Sequence, residues 1–178
     1  MGRNRYRAGA GRIALVAVLS ALSLVFLYAA STVPAARLGV VAIAGLFPAG
    51  AVVSAGLGAG FFCYSVSGLL GLLLIPDKGN ALLYLIFLGL WPMLKSLCER
   101  LPRRWMEWGA KLVLFNGALS LLWFGLRAVL LPFLPAALSS TGLVYAAGNV
   151  AFLIYDMGCS KLIGFYVVRI DRVLRKTS

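Results

Sequence analysis

Six apolar runs, each about as long as a bilayer's hydrocarbon core is thick, dominate the sequence. An α-helix needs about 20 apolar residues to cross that core. The chain is 62% hydrophobic and 12% charged, whereas a soluble domain is about a quarter charged. We therefore predict an all-α integral membrane bundle of six transmembrane helices that forms a single membrane domain over residues 1–178. The runs cover about residues 13–33, 38–54, 59–75, 81–97, 109–131 and 143–168.

The basic residues are concentrated between and beyond these runs. Residues 1–12 carry four arginines and no acid, residues 98–108 carry three arginines, and residues 169–178 carry four basic residues. Lys and Arg concentrate on the cytoplasmic side of membrane proteins. We therefore predict a central cytoplasmic loop at 98–108 and two basic tails, with both termini cytoplasmic. This topology accounts for the net charge of +12 in contact with lipid, without nucleic acid as a partner.

The residue types needed for common catalysis are absent from the sequence. There is no histidine, and the cysteines are the isolated Cys63, Cys98 and Cys159. This removes Ser-His-Asp and Cys-His catalysis and the usual zinc sites. No pair of acids or nucleophile–base pair occurs at a useful spacing. We therefore expect no enzyme activity, no metal site and no cofactor.

Polar and aromatic residues recur on one face of each of the last three predicted helices. Residues three or four apart share a helix face at about 100° per residue. Polar groups at membrane depth are costly, so they are usually paired or functional. The three stripes are Tyr84, Phe87, Trp91 and Lys95, then Asn116, Ser120, Trp123 and Arg127, then Tyr145, Asn149, Phe152 and Asp156.

One interpretation of the stripes is a substrate-binding site. A cation, an amide and aromatic surfaces around one space would suit a small organic molecule with an anionic or polar group. The candidate substrate-binding residues are Trp123, Arg127, Tyr145, Asn149 and Trp91.

The other interpretation is purely structural. Arg127 would extend to the lipid headgroups, and Asp156 would pair with Lys95, Lys111 or Lys161, as buried charges normally must. Amides and hydroxyls would join neighbouring helices. The candidate buried polar network is Asn116, Ser120, Asp156 and Lys95. Both interpretations stay open at this point.

Small residues mark two further contacts. Ala10, Ala14, Ala17 and Ala21 share one face of the first helix, which allows another helix to approach closely, either inside the bundle or from a second protein. We also expect Gly56 and Gly60 to pack helices closely, and Pro48 to break the second run, since proline removes a helical hydrogen bond.

Several stretches resemble the substrate-binding S components of energy-coupling factor transporters, in particular an uncharacterised S-component-like family of Gram-positive bacteria. They are SLVFLYAASTVPAARLGVVAIAGLFPA (23–49), WPMLKSLCERL (91–101), KLVLFN (111–116) and LIYDMGCSKLIGFY (153–166). Six spans in under 200 residues and an alanine-faced first helix are similar to that family too.

The resemblance implies a function. S components capture a vitamin, a vitamin precursor or a metal ion in an outward-facing pocket and associate with a transmembrane T component and two ATPase subunits. It implies that Ala14, Ala17 and Ala21 contact the T component, and that the chain is a multi-pass protein of the bacterial cell membrane. Two other interpretations remain: a structural scaffold such as the cell-shape protein MreD, and a small enzyme or flippase that acts on lipid.

Overall fold

The computed structural model describes residues 2–33, 36–127 and 140–176, with side chains from residue 10 to residue 165 of those ranges. Within them the chain is helical and contains no strand. The α-helices are α1 (Gly2–Ala30), α2 (Arg37–Ala44), α3 (Leu46–Ala55), α4 (Leu57–Leu74), α5 (Lys78–Leu83), α6 (Trp91–Cys98), α7 (Arg104–Ser120) and α8 (Thr141–Lys176). Two π-helical turns, Tyr84–Leu88 and Leu121–Gly125, follow α5 and α7.

Five helical segments of the described chain are long and apolar enough to cross a membrane. They are Ala10–Ala30, Arg37–Ala55, Leu57–Leu74, Lys78–Cys98 and Thr141–Phe165. These match five of the six predicted runs. The remaining run, at 109–131, corresponds to α7 and its π turn. Its last residues, 128–131, and residues 132–139 of the connection to the next run lie outside the described ranges. The sixth span and the cytoplasmic termini therefore stay predictions.

The second run breaks near Pro48, at the position where proline cannot form the helical hydrogen bond. A helical N–H at position 48 would bond to the carbonyl of Ala44, but Pro48 has no N–H. Helix α2 ends at Ala44 and α3 begins at Leu46. The hydroxyl of Ser23 donates to the free carbonyl of Ala44 at 3.0 Å. The break is therefore stabilised from α1.

The turn between α3 and α4 depends on glycine. Gly56, the residue between the two helices, has φ +93°, a conformation that costs glycine little. Gly60 then faces the first helix of the pair, and a Cβ there would collide with the side chain of Val52. The predicted close packing is confirmed at Gly60, whereas Gly56 forms the turn.

The central basic loop is shorter than predicted. Helix α6 ends at Cys98 and α7 begins at Arg104, so residues 104–108 of the predicted loop are helical. Glu107 lies in the first turn of α7, where a negative charge is favoured by the helix dipole. The basic tails also continue helices: α1 begins at Gly2, and α8 extends to Lys176.

The span from Lys78 to Cys98 lies at the centre of the bundle. It is the most buried of the five, with 61% of an 18-residue stretch inside the protein. All four stripe residues of this span are buried: Tyr84, Phe87, Trp91 and Lys95. The π turn brings the N–H of Gly89 to the carbonyl of Tyr84 at 2.8 Å. Phe87, Trp91 and Lys95 face α7 and α8 across the core. Tyr84 instead points toward α1 and α4.

Candidate functional site

Two buried lysines converge on one buried aspartate. Lys95 Nζ lies 2.7 Å from Asp156 Oδ1, and Lys111 Nζ lies 3.2 Å from Asp156 Oδ2. Each of the three side chains is at most 3% exposed. Charges so far from water need compensation, and here each oxygen of the carboxylate has its own ammonium partner.

Three more side chains complete this Asp156 cluster, which comprises Trp91, Lys95, Glu99, Glu107, Lys111 and Asp156. The indole Nε1–H of Trp91 donates to Asp156 Oδ1 at 3.2 Å. Glu99 lies 3.1 Å from Lys95 and Glu107 lies 2.6 Å from Lys111. The two glutamates are more exposed than the aspartate. With two lysines and three carboxylates, the cluster has a formal charge of −1.

The cluster fastens both ends of the basic loop to the last helix. Lys95 and Glu99 lie just before residues 100–103, and Glu107 and Lys111 lie just after them. Asp156 lies on α8. Since Lys95 already has two carboxylate partners and Lys111 has three, the geometry favours a structural connection over a free charge that could receive a substrate.

The polar stripes of α7 and α8 face each other along a line that we call the α7–α8 seam, formed by Asn116, Ser120, Tyr145 and Asn149. Asn116 and Asn149 exchange two amide hydrogen bonds, each of 3.1 Å. The hydroxyls of Ser120 and Tyr145 lie 2.6 Å apart. These polar groups therefore satisfy one another between α7 and α8.

Arg127 and Trp123 lie at the end of the seam away from the Asp156 cluster. The guanidinium carbon of Arg127 is 4.8 Å from the centre of the Trp123 ring, which is cation–π geometry. Trp123 is buried and Arg127 is exposed. This end of the α7–α8 seam therefore holds a cation, an aromatic surface and the Tyr145 hydroxyl.

The structure groups the candidate residues differently from the groups predicted from the sequence. Trp91 is fully buried and belongs to the Asp156 cluster, not with the other four substrate candidates. Lys95 and Asp156 are in contact, whereas Asn116 and Ser120 bond within the seam. Lys161 is exposed, and Asp156 pairs with Lys95 and Lys111. The clefts beside α3 and beside Tyr28 are not lined by the predicted substrate residues.

The alanine face of α1 points out of the bundle. Ala10, Ala14, Ala17 and Ala21 are all exposed. The opposite face packs inward through buried residues, namely Val16, Ser20, Ser23, Leu27 and Ala30. Among the described residues, no helix of the bundle buries these alanines, and their contact with a second protein stays a prediction.

Sequence reasoning missed a second buried polar group, in the first helices. The hydroxyl of Tyr84 lies 2.7 Å from Ser67 on α4 and 3.2 Å from Ser23 on α1. Single serines in apolar helices give a weak signal, because a serine can bond to its own helix. The role of Glu107 was detectable, since Glu107 and Lys111 have the i,i+4 spacing of a helical ion pair.

Comparison of the chain with family models, curated proteins and solved structures finds no match.

Proposed function

We propose that this chain is the substrate-capture subunit of an energy-coupling-factor-type importer for a vitamin-like or other small micronutrient. The family resemblance of the sequence is one support. The observation that carries the proposal is the uncovered small-residue face of α1, formed by Ala14, Ala17 and Ala21. Such a face lets a helix of another protein approach closely.

The substrate would be a small organic molecule with an anionic or polar group. It would bind at the end of the seam where Arg127, Trp123 and Tyr145 lie, with Asn149 one turn further in. Arg127 would attract the anionic group, and the aromatic rings would cover its apolar part. The sequence carries no phosphate-binding Gly-Lys-Ser/Thr motif, so the energy for release would come from a T component and ATPase subunits.

The first experiment is a tagged purification from native membranes in mild detergent, with proteins and small molecules identified by mass spectrometry. A T component with ATPases, or a retained vitamin-like molecule, is the expected result. Co-purification of cell-envelope proteins alone would contradict the proposal.

Substitution of the alanine face tests the partner contact. Ala17→Leu and Ala21→Leu should each reduce recovery of the T component by about tenfold, since an added side chain separates two closely packed helices. Ala146→Leu is the matched control, because Ala146 is an exposed alanine on α8. Equal recovery with all three variants would remove the face from the interface.

Arg127→Ala tests the substrate site. We expect binding of the co-purified molecule to fall about tenfold or more at unchanged expression, because the charge partner of its anionic group is lost. Arg103→Ala, which removes an exposed arginine from the basic loop, is the control. Unchanged binding by Arg127→Ala would argue against this site.

One observation favours the alternative, a structural membrane protein of the MreD type without transport activity. The seam residues Asn116, Asn149, Ser120 and Tyr145 bond to each other, as expected for helices that are packed shut. The same purification separates the two functions, because a scaffold would bring envelope proteins and no small molecule.

A further inference from the structure

An apolar groove on the surface of the helix bundle runs along α3. Its walls come from Leu19 of α1, from α2 and α3 between Ile43 and Val53, and from Leu162 and Phe165 of α8. It encloses about 310 Å³. None of its lining residues carries a polar side chain, so the groove suits a hydrocarbon chain.

The groove has the length of one leaflet. From Ile43 to Val53 a helix rises by about 15 Å at 1.5 Å per residue. This is about half of the roughly 30 Å hydrocarbon core of a bilayer. A lipid acyl chain aligned with α3 would therefore extend along the whole groove.

Helices α1 and α8 run antiparallel along the groove. Ser23 of α1 contacts the carbonyl of Ala44, and the Tyr155 hydroxyl of α8 lies close to Gly45, so both helices meet the break at one level. From there the groove passes Leu19 on α1 and Leu162 on α8. The start of α1 and the end of α8 therefore lie at the same end of the groove.

That shared end is the most basic region of the chain. Arg12 is exposed and lies two turns before Leu19, on the same side of α1. Residues 2–12 contain four arginines and no acid, and residues 169–176 contain four basic residues and one acid. An anionic group at this end of the groove would be strongly favoured, since each nearby basic residue contributes about 1 kcal/mol toward anionic lipid.

We propose that the groove binds an anionic phospholipid of the surrounding bilayer. The acyl chain lies between α1, α3 and α8, and the phosphate lies next to Arg12, between the basic ends of α1 and α8. The apolar walls provide the contact area, and the charge selects the headgroup. This proposal does not depend on the transport function.

Native mass spectrometry of the delipidated full-length protein tests the proposal. Phosphatidylglycerol or phosphatidylcholine with identical acyl chains is added at equal concentrations, and bound lipid is counted. We expect the first bound phosphatidylglycerol to be retained at least about fivefold more strongly than phosphatidylcholine. One basic residue near the headgroup contributes a preference of about this size. Equal retention would overturn the anionic assignment.

Paired variants locate the site. Leu162→Trp fills the groove from an exposed position and should reduce phosphatidylglycerol binding about tenfold. Ile154→Trp, exposed on the same helix away from the groove, should not reduce it.

Arg12→Gln should lower the preference for phosphatidylglycerol over phosphatidylcholine about fivefold, and Arg103→Gln should leave this preference unchanged. Thermal unfolding in detergent checks the fold of each variant, and Phe165→Ala, which removes a groove wall, replaces Leu162→Trp if that variant does not fold.

Three results would overturn the proposal. Unchanged binding in the groove variant would place the lipid elsewhere. An unchanged preference in Arg12→Gln would contradict the position given to the phosphate. Loss of a co-purifying protein from Leu162→Trp, with lipid binding unchanged, would assign the groove to a partner helix instead.

Discussion

The front of the bundle, helices α1 to α4, and the rear, helices α6 to α8, are held together by different physical means. In the front, backbones approach through small residues: Gly60 lies against Val52, and Ser23 bonds the Ala44 carbonyl. In the rear, buried charges and stacked rings join the helices. Asp156 binds two lysines, and the rings of Phe115 and Phe152 stack at 4.5 Å.

The difference shows two solutions to one problem. Apolar helices gain no hydrophobic free energy by leaving lipid for each other, so packing and polar bonds must hold them. Close packing fails when volume is added, whereas a charge cluster fails when one member is removed. The two halves should therefore respond to opposite kinds of mutation.

The largest effect is expected in the rear. Asp156→Ala leaves Lys95 and Lys111 buried without their shared carboxylate, which should cost about 3–5 kcal/mol of unfolding free energy. Unfolding in mixed detergent micelles, followed by tryptophan fluorescence, measures it. The control is Asp77→Ala, which breaks the partly exposed Arg37–Asp77 pair of 3.0 Å and the N-cap bond that Asp77 accepts from the N–H of Gly79, and which should cost about 1–2 kcal/mol. Similar small losses in both variants would show that the Asp156 cluster adds little stability.

An intermediate effect is expected in the front. In Gly60→Ala the new methyl group would collide with Val52 and lie 3.1 Å from the Pro48 carbonyl oxygen, which should cost about 1–3 kcal/mol. Gly58→Ala on the same helix has open space at its Cβ and should stabilise the helix by about 0.5–1 kcal/mol. The same unfolding assay gives both signs. A stabilising Gly60→Ala would mean that α3 and α4 separate easily.

The smallest effect is expected for Ser23→Ala. It removes the donor to the Ala44 carbonyl and the 3.2 Å contact with the Tyr84 hydroxyl. A hydrogen bond between membrane helices contributes about 0.6 kcal/mol, with a maximum near 1.7. Ser160→Ala is the comparison, because the Ser160 hydroxyl bonds within its own helix, to the carbonyl of Asp156 one turn earlier. Equal changes in the two unfolding free energies would show that the break at Gly45 needs no support from α1.

The sequence predicted which residues of the site share a helix face, but it predicted few of the contacts between helices. The spacing of Tyr145, Asn149 and Asp156 predicted one face, and that face does turn toward α7 and the core. Nothing in the spacing indicated that Asn149 meets Asn116, or that Trp91 donates to Asp156, because a helical period fixes direction around one axis and not which helix lies opposite.

The sequence by itself determined the helical membrane character, since long apolar runs permit few other folds in lipid. It also determined the break near Pro48, because a missing N–H is a local property. Only the tertiary structure decided that the alanine face of α1 points outward, that Lys111 joins Lys95 on Asp156, and that the loop ends at Arg104. These depend on how far each helix is rotated and shifted against its neighbours, and that is set by packing summed over many weak contacts.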